Sequence, residues 1–188
     1  WKSITFIQNI SMNISFHGAA QTVTGSKHIL HLQNGKKILL DCGMFQGLGK
    51  DTLRLNQEWG FDPSSISLVL LSHAHIDHSG LLPKLVKDGF KGSIYCTTAT
   101  ADLVKLMLID SAHIQESDFS RAERKQKLGK WHGDLPQVLY SVKQANECLS
   151  QLKSYDYGQV FEPISGIQAH FRNAGHILGS AIAVIDVE

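Results

Sequence analysis

"LLSHAHIDHSG", residues 70–80, places three histidines and an aspartate within six positions, directly after an apolar run. The run reads as a buried strand over 67–71. Coming off it in extended backbone, His73 and His75 are two residues apart and point to the same side. Asp77 and His78 follow where the chain turns into a short helix, "SGLLPKLVKDGF", with Pro83 in its first turn, where a missing N–H is tolerated. One short loop can then serve two ions, an imidazole pair on one and a carboxylate plus imidazole on its neighbour. Mixed imidazole and carboxylate donors suit zinc or a similar first-row ion. Two such ions about 3.5–4 Å apart can clamp the attacking and leaving oxygens of a displacement. A lone His-x-His would be weak, but four ligand-type residues between a strand and Gly80 are a strong signal.

The surroundings fix the class. The 188 residues suffice for one domain with a sizeable core, or part of a larger one. A hydrophobic fraction of 43% and a charged fraction of 19% belong to a globular chain. The net charge of +1 favours neither nucleic acid nor membrane by bulk electrostatics, so an anionic substrate must be drawn by local charge or a metal. No apolar run approaches a membrane span and nothing reads as a signal peptide. Cys42, Cys96 and Cys148, odd in number and each in an apolar context, read as reduced core thiols of a cytoplasmic protein.

Strands are expected at 12–16, at 27–32, and on both sides of an Asn34-Gly35 turn, then at 67–71, 93–96, 158–161, 167–172 and 181–187. Thr97 or Thr98 caps a long helix with Leu103, Leu106, Met107 and Ile109 among its apolar positions, and Ser141 starts another. Strands, then helices, then strands again predict an α+β layered sandwich, not a regular βαβ series. The basic stretch 121–130, "RAERKQKLGK", reads as a solvated helix end, with a phosphate-backbone contact as the other reading. "GMFQGLGKD" (43–51) is no phosphate loop: five residues separate Gly43 from Gly49, and Asp51 stands where a magnesium-ligating hydroxyl belongs.

"SHAHIDHSGLLP" (72–83) resembles the His-x-His-x-Asp-His signature of metallo-β-lactamase-fold hydrolases, and the similarity runs across nearly the whole chain from Met12. "GAAQTVTGS" (18–26) is similar to the first loop of the β-CASP nuclease branch. "ILLDCGMFQG" (38–47), centred on Asp41, resembles its first motif, and "AGHILGSA" (174–181) its third, which brings His176. The resemblance implies an αββα sandwich and a metal-dependent phosphodiesterase, a ribonuclease that processes or degrades RNA through a hydroxide activated by two zinc ions, with manganese as the other metal. His73, His75 and His176 would hold one ion; Asp77 and His78 would hold the second, with Asp77 also the catalytic group that orients or deprotonates the bridging water. Asp41 would act from behind the ligands by fixing their orientation. A DNA nuclease or small-ester hydrolase of the same fold, or an inactive RNA-processing scaffold, are the alternatives.

Other histidines are weaker candidates. His28, His31, His113, His132 and His170 read as structural or surface residues, and His17, placed in the first loop, is divided between substrate contact and loop packing. The bridging aspartate and late histidines of the family would fall beyond Glu188; Asp186 reads as a strand-end residue. Residues 1–11 are expected to be an N-terminal extension and 12–188 the N-terminal portion of the fold, without the rest of that domain and the β-CASP insertion. Such a piece is expected to be inactive alone, to leave an unpaired sheet edge, and to associate with itself or another part of its own chain.

Overall fold

A computed structural model describes residues 12–49 and 51–187, so the expected extension at 1–11 lies outside the described residues. Strands β1 (Asn13–Gly18), β2 (Lys27–His31) and β3 (Lys37–Leu40) form an antiparallel meander. Gly35, with φ +78°, supplies the left-handed residue that the turn between β2 and β3 requires. From β3 the sheet becomes parallel through β4 (Leu68–Leu70), β5 (Ser93–Thr97) and β6 (Leu152–Tyr155), giving six strands in sequence order. A second, antiparallel sheet follows from β7 (Phe161–Ile164), β8 (Ile167–Asn173) and β9 (Ala181–Val187).

Alternation along the strands divides the interior. Ile29, Leu39, Val69, Ile94 and Cys96 turn to one face of the large sheet, where helices pack. These are α3 (Leu82–Lys87), α4 (Thr98–Lys127) and α5 (Val142–Leu149). Ile38, Leu68, Leu70 and Tyr95 turn to the other face and meet Phe161, Ile167, Ala169 and Phe171 of the second sheet. Aromatic rings fill that gap: Phe161 lies 4.1 Å from Tyr155 and 5.2 Å from Tyr95, nearly parallel to both. Three layers result, helices on sheet on sheet, within the expected sandwich class. β9 pairs with β8 alone among the described residues, and Ile182 is 57% exposed on its outer face.

The helix starts follow local chemistry. Thr97 caps α4, its hydroxyl accepting from the Thr100 amide, and Ser141 with Gln144 closes a capping box on α5. The buried stripe of α4 is Ala101, Val104, Leu108 and Ala112, while Leu106 is 71% exposed. Small residues let the helix approach the sheet, and the larger Leu106 falls on the outer side. The helix continues to Lys127 through a charged stretch with Arg121–Asp118 and Lys127–Glu123 pairs, so residues 121–127, apart from the buried Ala122, form a solvated helix end.

One strand bound needs correction, and two elements have no counterpart among the expectations. The strand expected at 158–161 begins at Phe161, because Asp156, Gly158 (φ +77°) and Gln159 form a turn first. β6 carries no apolar alternation, being a half-exposed strand held by pairing with β5. Helix α1 (Asp51–Gln57) was not foreseen; its buried Asn56 donates to the Phe45 carbonyl and accepts from the Phe45 amide. The three cysteines are free and buried, and burial pushes the thiols of Cys96 and Cys148 up to about 12.

Candidate metal centre

The parallel strands β3, β4 and β5 all end on one edge of the large sheet, and the candidate residues collect there. Asp41 follows β3 directly, with φ +59°, a left-handed conformation that aspartate tolerates better than most side chains. His73 and His75 follow β4. Asp77 and His78 lie in a single helical turn, α2 (Ile76–Ser79), bound by Ser79 Oγ donating to the carbonyls of Ala74 and His75.

Backbone hydrogen bonds clip this turn down. The Ser26 amide donates to the Asp77 carbonyl at 2.9 Å, Cys42 to His78 at 2.7 Å and Met44 to Ile76 at 3.0 Å. Gly43 lies so close beneath that a Cβ there would sit 1.6 Å from the Asp77 oxygen. Only glycine permits that approach.

His176 arrives from the second sheet, 101 positions after His75, in the loop between β8 and β9. Its amide donates to Ser180 Oγ at 3.1 Å, and Asn173 Oδ1 accepts from Gly175 at 2.7 Å. The loop is gripped from the large sheet: Thr97 and Thr100 hydroxyls both donate to the Gly179 carbonyl, at 2.6 and 2.8 Å. Ala181 donates to the Ser72 carbonyl at 2.8 Å, tying β9 to the residue before His73.

One nitrogen from each of His73, His75 and His176 falls within 4.8 Å of the others. His75 Nδ1 lies 3.1 Å from His73 Nε2 and 3.2 Å from His176 Nε2. His73 is buried, His75 half-buried and His176 exposed, so the cluster opens to solvent on one side. Asp77 and His78 stand beside it: the His73 and His78 rings are 4.0 Å apart, and Asp77 Oδ2 is 3.7 Å from His78 Nε2.

Asp41 organises both sides. Its Oδ2 accepts from His78 Nδ1 at 2.7 Å and from Ser72 Oγ at 2.9 Å, and its Oδ1 accepts from the Ser72 amide at 2.8 Å. Because the Ser72 hydroxyl donates to Asp41, it accepts from His73 Nδ1, 2.9 Å away. The network therefore puts the ring proton of a neutral His73 or His78 on Nδ1 and leaves its Nε2 as a bare lone pair. Burial, then the neighbouring His78, pushes His73 down to about 4, so its imidazole is neutral at pH 7. Burial also opposes charge on His78, but the hydrogen bond to Asp41 and the charges of Asp41 and Asp77 outweigh it and raise its pKa. Three converging imidazoles, with a carboxylate and a fourth imidazole alongside, are a donor set that fits a first-row divalent ion.

His17 is not in the first loop but on β1, where it hydrogen-bonds Ser15 and packs edge-on against Phe61 at 5.0 Å. Ser72 carried no sequence signal of its role, because its partner Asp41 is 31 positions away.

The profile described as Metallo-beta-lactamase superfamily matches residues 29–143. A protein of Thermus thermophilus named as a ribonuclease is 37% identical over 177 residues, covering 94% of this chain and 36% of its own length. A transcription termination factor of Methanothermobacter thermautotrophicus is 34% identical, covering 84% of this chain and 23% of its own. Cleavage and polyadenylation specificity factor subunit 3-I of Arabidopsis thaliana is 32% identical, covering 81% and 20%. The chain thus spans about a third or less of these relatives. Among solved structures, a B3 metallo-β-lactamase with an active-site glutamic acid aligns with a TM-score of 0.51 at 19% identity, over 93% of this chain and 55% of that one. A Cronobacter sakazakii metallo-β-lactamase mutant gives 0.50 at 20% identity, over 88% and 54%. These two likenesses speak to the fold.

Proposed function

The chain belongs to the metallo-β-lactamase superfamily, and from that membership we propose that it carries the metal-gripping part of a ribonuclease of the β-CASP branch. The substrate is RNA, the reaction is phosphodiester hydrolysis, and the ions are zinc. The observation that carries this reading is the wiring of Asp41, directly to His78 and through Ser72 to His73. A carboxylate that fixes two imidazole tautomers has little use in a purely structural loop, but it is what a metal centre needs.

His73 and His176 would hold one ion through Nε2 and His75 through Nδ1, the nitrogens that face each other. His78 Nε2 and the Asp77 carboxylate would hold the second. Bound there, the ions would neutralise phosphate charge and make a nearby water acidic enough to ionise near pH 7. Asp77, half-buried and free of strong ion pairing, is placed to orient that water or take its proton. The exposed flank at His176 is the side from which a phosphodiester would approach. Support for RNA comes from relatives named as a ribonuclease, a termination factor and a polyadenylation factor subunit.

Among the described residues no helix is long and apolar enough to cross a membrane, and the three free thiols suit the cytoplasm. The single-sided pairing of β9 supports association with further chain. The test uses the full-length protein: metal analysis, then cleavage of matched RNA and DNA, with His73→Ala and His176→Ala as controls. Bound zinc and RNA cleavage lost in both variants are expected. A protein free of metal, or one that cuts DNA or small esters as readily as RNA, refutes the reading.

A further inference from the structure

Lys27 opens β2 and is fully buried, and among the described residues no carboxylate forms an ion pair with it. Its ammonium donates to the Gly25 carbonyl at 3.1 Å and the Gly43 carbonyl at 2.8 Å, and sits 4.1 Å from the centre of the Phe45 ring. Burying a lysine this way is costly unless the position demands it. Burial pushes its pKa from 10.5 down to about 8, with the nearby Cys42 opposing and Lys84 adding to the fall.

What the ammonium joins explains the demand. Gly25 ends the first loop and Gly43 belongs to the segment after Asp41. Gly43 donates to the Ser26 carbonyl, Ser26 donates to the Asp77 carbonyl, and Cys42 donates to the His78 carbonyl. Gly43 also touches the Asp77 carbonyl directly. Lys27 therefore binds together the two backbone segments on which Asp77 and His78 rest. His176 has a different foundation, since its loop is held by the Gly179 carbonyl that Thr97 and Thr100 grip.

We propose that Lys27 is a positioning residue for the Asp77–His78 half of the metal centre, and that His176 in the other half is held by a separate device, the Thr97–Thr100 grip. This rests on the two-ion reading above. Lys27 touches neither ion nor substrate; it acts through Gly43 and Ser26 on the backbone of the turn.

The experiment titrates the metal-free full-length protein with zinc against a chromophoric chelator and resolves two affinities. In Lys27→Met one affinity falls about tenfold, the lower end of what groups supporting metal ligands are worth, and the other stays. In Thr97→Val/Thr100→Val the opposite affinity falls. Phe45→Leu, which removes the ring beneath the ammonium, shifts the same affinity as Lys27→Met by about threefold, and carries the test if Lys27→Met fails to fold. Thermal unfolding of each metal-free variant is measured alongside. If Lys27→Met loses thermal stability but keeps both affinities, or lowers both equally, the proposal is overturned while the metal centre stands. A wild-type protein that takes up no zinc overturns the metal centre itself.

Discussion

Asp41→Asn separates charge from shape at the node of the site. Asparagine is nearly isosteric and tolerates the left-handed backbone at φ +59°, so the substitution adds little strain. The carboxylate now serves His78 Nδ1, Ser72 Oγ and the Ser72 amide at 2.7, 2.9 and 2.8 Å. An amide has one oxygen and two N–H donors. If its oxygen takes the Oδ1 place and keeps the Ser72 amide, its nitrogen takes the Oδ2 place and faces both Ser72 Oγ and His78 Nδ1, which must then accept, and the His78 ring proton moves to Nε2. That is the atom with which His78 would hold the proposed second ion. Losing such a support costs about 10- to 100-fold in metal affinity, or about 1.4–2.7 kcal/mol. The assay is competitive zinc titration of full-length wild type and variant at pH 7, with circular dichroism to confirm the fold. An affinity within twofold of wild type, in a folded variant, refutes the tautomer argument.

Lys27 gives a pH signature of known sign. The unfolded chain keeps the lysine proton up to about 10.5 and the folded one only to about 8, so resistance to unfolding rises with pH across that window. The full rise is worth about 3 kcal/mol. Cys96 and Cys148, raised from 9.0 to about 12, act in the opposite sense above pH 9, so the readout is the stability gap between wild type and Lys27→Met in denaturant titrations. The gap widens in favour of wild type from pH 8 to 10.5; a constant gap contradicts the assignment. Gly43→Ala must push the Asp77 carbonyl aside and is expected to cost about 1–3 kcal/mol and to weaken zinc binding, so unchanged zinc affinity counts against the close approach. Phe161→Ala empties the aromatic stack between the sheets and is expected to cost about 3–5 kcal/mol in urea unfolding, with a loss below 1 kcal/mol showing that the stack is not tightly packed.

The features legible in the sequence are those whose cause is local. Thr97 and Ser141 announce their helices because a cap acts within three residues. The crowding of His73, His75, Asp77 and His78 needs no distant partner to be noticed. His176 is different: no periodicity links it to a residue 101 positions earlier, and only the likeness of its flanking motif singled it out. Lys27 was invisible because nothing near it in sequence marks a lysine that will be buried; its partners are carbonyls of Gly25 and Gly43 brought together by folding. β6 was invisible for a related reason, since its pairing with β5 replaces the hydrophobic alternation it lacks. His17 was misplaced by one short segment, the boundary between β1 and the loop after it.

His73 and His75 leave the large sheet, whereas His176 leaves the small one. An ion held by all three would be a staple driven across the sandwich, and its binding energy would be folding energy. At a free concentration a thousandfold above its dissociation constant it would add about 4.1 kcal/mol to the stability of the packed sheets. The linkage runs both ways: slackening the Tyr95, Tyr155, Phe161 and Phe171 packing between the sheets would spread the three imidazoles and weaken their hold. Chelation would then loosen a layer of the protein, and metal supply would set how long this chain survives.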